Sequence, residues 1–183
     1  MRFPRSLHGR LTAAYAAALF VALCVFAGAS AFFLIQLYQA ALDARLRATT
    51  LALNAIGLDA GPALRLDSRD EAQISHVITP RLDGLMLRAD GSVVITTAAS
   101  IPLPIRSEAL AAQTPMTVKT VDTGPARVRL AVAPLSLDGV RIGTVAVWAS
   151  TEPLDDFRRI LLVVFIVAIP AVVAAAVLAA GLV

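Results

Sequence analysis

Two long stretches of this chain carry no charged side chain, and this limits what it can fold into more than any other feature. No Asp, Glu, Lys or Arg lies between Arg10 and Asp43, and none follows Arg159. Each gap exceeds the roughly 18 residues that mark a helix able to cross a bilayer. Composition agrees: 16% of the residues are charged and 58% are hydrophobic, where a soluble domain has about 25% charged. The distribution predicts two transmembrane helices, residues 11–38 and 160–183, enclosing one water-soluble domain, residues 39–159.

The first span has 28 residues. As a helix it is roughly 42 Å long, more than the roughly 30 Å hydrocarbon core, so it must tilt or run on into water. Tyr15 and Tyr38 stand near its ends, where amphipathic rings favour the interface. Gly28, Ala29, Ser30 and Ala31 form a small-residue patch suited to close helix packing. A cleaved signal peptide fits less well, because the apolar run continues through Phe32, Phe33, Leu34 and Ile35 past the Ala29-Ser30-Ala31 site. A lipid anchor on Cys24 is ruled out by Leu23, which stands where a small residue is needed.

Arg2, Arg5 and Arg10 make residues 1–10 a basic tail, which places the N-terminus in the cytoplasm and the middle domain outside. Arg45, Arg47, Arg158 and Arg159 flank the spans on the other side, but the first helix usually dominates orientation. Before the second span, Ser150 or Thr151 can cap a helix with Glu152 and Pro153 in its first turn. Pro170 lies inside that span and is a candidate helix kink, either static or a bend used in signalling. Because no polar residue follows the second span, the chain is expected to be the front end of a longer one.

The 16 basic and 13 acidic residues give a net charge of +3. The three tail arginines account for all of it, leaving 13 of each sign in the remainder. The pI near 9.7 therefore reflects no basic patch, and nucleic acid is not an expected partner. Cys24, the only cysteine, lies in the first span, so no disulfide forms within one chain.

Residues 39–57 predict a helix continuing out of the first span. Leu42, Leu46, Thr49, Leu53 and Ile56 recur at coiled-coil-like spacing. This stripe packs on its own domain, forms a dimer seam, or does both at different depths along the helix. Residues 58–83 are mixed, with Gly61-Pro62 ending the helix. Residues 84–149 carry five strand-like runs. The first two meet at Asp90-Gly91, a hairpin signal. A proline-rich connection with Pro102, Pro104 and Pro115 follows. The last two runs meet at Asp138-Gly139. In the fourth, Val128, Leu130 and Val132 alternate with Arg127 and Arg129. The expected fold class is α+β: an antiparallel sheet of about five strands with the long helix on one side.

No phosphate loop, nucleophile elbow or metal-ligand cluster is legible in this domain. His76 is its single histidine. Asp67, Asp70 and Glu71 form an acidic cluster interrupted by Arg69, which reads as a solvated loop. His76 and Arg81 are the candidate contacts for an anionic ligand, beside the plainer reading of solvated side chains. No catalytic residue, cofactor or metal is expected in this chain.

The order of features resembles the N-terminal sensor region of bacterial two-component sensor histidine kinases. Arg5-Ser6-Leu7-His8-Gly9-Arg10-Leu11-Thr12 is similar to their basic-then-apolar opening. Leu42-Asp43-Ala44-Arg45-Leu46 is similar to their L-D-x-R-L post-membrane helix, and Asp90-Gly91-Ser92-Val93 to the D-G-x-V hairpin of their PAS-like extracytoplasmic domains. Leu154-Asp155-Asp156-Phe157-Arg158-Arg159 is similar to the helix entering their second span. The resemblance implies a multi-pass protein of the bacterial inner membrane, sensing as a homodimer. It also implies a response regulator as partner, with ATP and magnesium belonging only to a cytoplasmic kinase part that this sequence does not contain. Chemoreceptors and membrane-bound cyclases share such a sensor half. A transporter or envelope-assembly subunit with a docking domain is the alternative of a different class.

Overall fold

The computed structural model describes residues 7–78, 81–112, 115–124 and 126–181. The chain divides into two units, one of Met1–Tyr38 with Leu154–Val183 and one of Gln39–Pro153.

The described residues of the first unit are helical. α1 (Leu7–Asp59) is one helix of 53 residues, so the end of the expected basic tail already belongs to it, and residues 1–6 lie outside the described residues. The helix stretch Ala14–Asp59 holds a window of mean hydropathy 2.5 with none of it buried, long and apolar enough to cross a membrane. Phe26, Phe32 and Phe33 are among its exposed side chains. The last helix, running Glu152–Gly181, has 30 residues and continues through Pro170. It starts eight residues before the expected span (160 − 152), and Ser150 Oγ accepts from the Glu152 N–H at 3.1 Å. Residues 182–183 of the expected span lie outside the described residues.

The second unit holds a five-stranded antiparallel sheet: β1 (Asp83–Arg88), β2 (Val93–Thr96), β3 (Thr117–Asp122), β4 (Arg127–Leu137) and β5 (Val140–Ser150), in the order β2-β1-β5-β4-β3. Each expected run is a strand. The two Asp-Gly turns join β1 to β2 and β4 to β5, and Gly91, Asp138 and Gly139 all have positive φ (81°, 50° and 80°). Tight hairpins demand such angles, and Gly, Asn and Asp tolerate them best.

The sheet buries both faces, not one. On the first, Leu46, Leu53 and Ile56 of α1 pack with Met86, Ala131, Leu135, Val145 and Val147. α2 (Ser68–Val77) adds Ile74 to that face. On the second, Leu85, Leu87, Leu130, Val132, Ala146 and Trp148 pack with Ile105 and Ala109 of α3 (Leu103–Ala111). The period-2 alternation of strands separates these two sets. Two short helices thus replace segments expected to be irregular. The acidic cluster is the start of α2: Asp67 caps it, accepting from the Arg69 and Asp70 N–H groups, while the Asp70 carboxylate accepts from the Asp67 N–H in a capping box. α3 forms because Pro104 falls in its first turn, where a missing N–H costs nothing.

Of the two uses open to the stripe on α1, packing on its own domain is the one seen within this chain. Leu46, Thr49, Leu53 and Ile56 are all buried within this unit, and Leu42 is partly buried against the same cluster. Their spacing faces one side of a helix, and that side meets the sheet.

Arginines fasten the layers. Arg129 on β4 grips Asp43 of α1 through two bonds, Nε to Oδ1 at 2.8 Å and a terminal nitrogen to Oδ2 at 2.7 Å. That pairing holds the Asp43 carboxyl below the usual carboxylate range, against the opposing effect of burial. Arg141 on β5 donates to the Ala109 and Leu110 carbonyls at 3.3 Å, satisfying the end of α3. Arg88 donates to the Ala63 and Leu64 carbonyls, fixing the turn after α1 in which buried Leu64 sits at φ 44°.

Candidate functional site

At one end of the sheet the end of α2, the start of β1, the residue after β2 and the end of β5 surround a cavity of about 470 Å³. α2 stops because Ile78 turns to extended backbone while its N–H still donates to the Ile74 carbonyl at 2.9 Å. Ile78 then lies close over Gly84. A Cβ at Gly84 would come within 2.4 Å of Ile78 Cδ1, the tip of a side chain that can turn aside. Ile78 and Leu82 supply the apolar part of the lining, and Leu82 also belongs to the core behind it.

The polar part comes from Ser75, Arg81, Asp83, Thr97 and Ser150. Thr97 is fixed by two bonds to Gly84: its N–H donates to the Gly84 carbonyl at 3.0 Å, and its Oγ1 accepts from the Gly84 N–H at 2.8 Å. Ser150 Oγ is oriented by accepting from Glu152, and Ser75 Oγ by donating to the Ala72 carbonyl at 2.7 Å. Asp83 opens β1 opposite Trp148 of β5. Its carboxyl is pushed above the usual carboxylate range by burial. Among the described residues neither Asp83 nor Arg81 has a side-chain hydrogen bond or ion pair with the protein. The cavity therefore exposes one unpaired cation and one unpaired carboxylate.

The two ligand candidates named from sequence separate here. Arg81 lines the cavity, whereas His76, exposed in the last turn of α2, is not in its lining. Asp83, Thr97, Ser75 and Ser150 were not legible as a site. They are far apart in sequence and only the sheet register gathers them. Pro170 belongs to the other unit and lies outside this cavity. Among the described residues no group of three or more His, Cys, Asp or Glu side chains is placed to hold a metal ion.

No family model matches this chain, and no curated protein matches it. Solved structures do. The sensor region of a sensor histidine kinase aligns at 14% identity and a TM-score of 0.34, over 50% of this chain and 54% of that one. The ligand-binding domain of the Pseudomonas aeruginosa PAO1 amino-acid chemoreceptor PctC, in complex with GABA, aligns at 18% identity and a TM-score of 0.41, over 74% and 62%. The sensor domain of the zinc-responsive histidine kinase CzcS from Pseudomonas aeruginosa aligns at 16% identity and a TM-score of 0.31, over 61% and 94%. The matches to the first two thus span less than two thirds of those chains.

Proposed function

We propose that this chain is the signal-sensing input of a membrane-bound sensor histidine kinase. One observation carries the reading: α1 is a single helix whose lipid-compatible stretch and whose buried stripe on the sheet belong to the same rod. A shift of the sheet domain is then also a load on the membrane helix. The second span (residues 160–183), the cytoplasmic N-terminus, the extracytoplasmic PAS-like domain and the bacterial inner membrane complete the proposed topology. The output is proposed to be a kinase acting on a response regulator. Such a switch needs two states within a few kcal/mol of each other, and a stimulus that favours one of them.

The homodimer expected of this class needs a contact surface other than the buried stripe of α1, and the exposed apolar stretch of that helix is the proposed one. To test the function, the chain is fused after Val183 to a histidine-kinase output with a measurable reporter. Deleting residues 62–145 is expected to lock the output in one state. Output that still follows environmental change after the deletion would remove the sensing role from this domain.

A further inference from the structure

Two charges in the cavity need explaining. Arg81 offers a guanidinium, a planar fork of N–H donors matched to a carboxylate. Asp83 offers a carboxylate that accepts but cannot donate when ionised. They stand two residues apart, with Leu82 between them directed into the core. Among the described residues no hydrogen bond or ion pair joins the two. The hydroxyls add direction. Thr97 Oγ1 already accepts from Gly84, and Ser150 Oγ already accepts from Glu152, so each has its own proton left to donate. Ser75 has the opposite surplus, because its proton is engaged with Ala72 and its lone pairs are open. The cavity thus presents donors from Arg81, Thr97 and Ser150, and acceptors from Asp83 and Ser75.

A simple anion satisfies the donors but meets Asp83, and a simple cation does the reverse. A molecule carrying both charges satisfies every group. It is a cleft open to solvent, with Ser75, Arg81, Thr97 and Ser150 exposed, and its volume of about 470 Å³ is within the range of small-ligand sites.

We propose that the cavity binds a small zwitterion of the amino-acid class, its ammonium on Asp83 and Ser75 and its carboxylate on Arg81, Thr97 and Ser150. The proposal rests on the sensing function argued above and names what is sensed. The ionised form of Asp83 is the one that holds the ammonium. Because burial raises its pKa, affinity falls on acidification at a higher pH than an ordinary aspartate would give.

The test uses the full chain in lipid nanodiscs and calorimetric titration with the common α-amino acids, with acetate and methylamine as single-charge probes. At least one amino acid is expected to bind, and acetate and methylamine are not. Arg81→Gln and Asp83→Asn should each weaken that binding by roughly tenfold or more, the loss of one charge-assisted bond. Asp83→Asn should also let acetate bind, a gain that a misfolded protein cannot show. Three results overturn the proposal: no amino acid binds the folded chain, acetate binds the unaltered chain as well as any amino acid, or both variants bind as tightly as the parent. The fused-kinase reporter keeps the two readings separate. Binding with no change in output removes the sensing role and leaves the site. Output that answers an amino acid equally in Arg81→Gln keeps the sensing role and removes the site.

Discussion

Replacing Leu46 with alanine separates the two uses that a leucine stripe on α1 can have. Leu46 is fully buried on the first face of the sheet, while Leu51, five residues further along the same helix and on another face, is 57% exposed. Truncating a leucine in a packed core removes its transfer free energy and leaves a partly unfilled cavity, about 3 kcal/mol in all. The same change at an exposed site costs about 0.5 kcal/mol or less. The sheet unit, Gln39–Pro153, has 115 residues (153 − 39 + 1), and a domain of that size loses roughly 3–5 °C of Tm per kcal/mol. Leu46→Ala should therefore lower the melting of this unit by about 10 °C and Leu51→Ala by a degree or two. Trp148, the only tryptophan and buried between the sheet and α3, gives a fluorescence signal for unfolding of this unit alone. The chain is measured in detergent, with its oligomeric state recorded by sedimentation. If Leu46→Ala left the melting unchanged and instead dissociated a dimer, the stripe would be a seam and the core described above would be wrong.

Three further outcomes follow from local geometry and charge. A Cβ at Gly143 would lie 2.4 Å from the Leu87 carbonyl oxygen of the neighbouring strand, so Gly143→Ala should cost about 3 kcal/mol or more in a urea titration. At Gly57 the nearest atoms are methyl ends of Leu135 and Met86 at 2.9 Å or more. The roughly 1 kcal/mol gained from helix propensity partly offsets that crowding, so Gly57→Ala should cost clearly less, and an equal cost would refute the argument. Asp43 and Asp83 should shape the acid limb of stability in opposite senses. The depressed pKa of Asp43 gives stability that is present above its unfolded value near 3.8 and is lost as pH falls through the folded value. Asp83 is raised, so the cost of burying its charge is relieved as pH falls through its folded value. Asp43→Asn should lower stability at neutral pH by about 1 kcal/mol, since the pair is partly exposed, and should flatten the fall below about pH 4. Asp83→Asn should remove the gain on mild acidification, and urea midpoints taken across pH in both variants report each effect.

The strands were legible because their signals are local. Asp90-Gly91 and Asp138-Gly139 mark turns whose backbone angles those residues tolerate, and β-branched runs flank them. The length of α1 was legible as a charge-free run followed by a stripe. α2 and α3 were not, for different reasons. Residues 68–77 bury only Ile74, so almost no apolar periodicity marks them, and Asp stands where a capping box usually has Glu or Gln. In α3 the prolines read as a connection, although Pro104 sits in the first turn, where proline suits a helix. The stripe from Leu42 to Ile56 was visible as a stripe, but its spacing says only that one face is apolar and not what covers it. Arg81 was singled out as a cation. Its cavity partners depend on strand order, which pairs β1 with β5 rather than with β3, and no short-range pattern encodes that.

That strand order has a consequence for how such a domain can change over evolutionary time. The first strand and the last lie side by side at the centre of the sheet, Asp83 opposite Trp148. The polypeptide thus enters and leaves the sheet at neighbouring points, with the connections between its strands hanging between them. A segment with adjoining ends can be exchanged as a cassette without moving what precedes or follows it. New recognition surfaces can be grafted onto the connections, while the strand residues that pack on the buried stripe of α1 are kept.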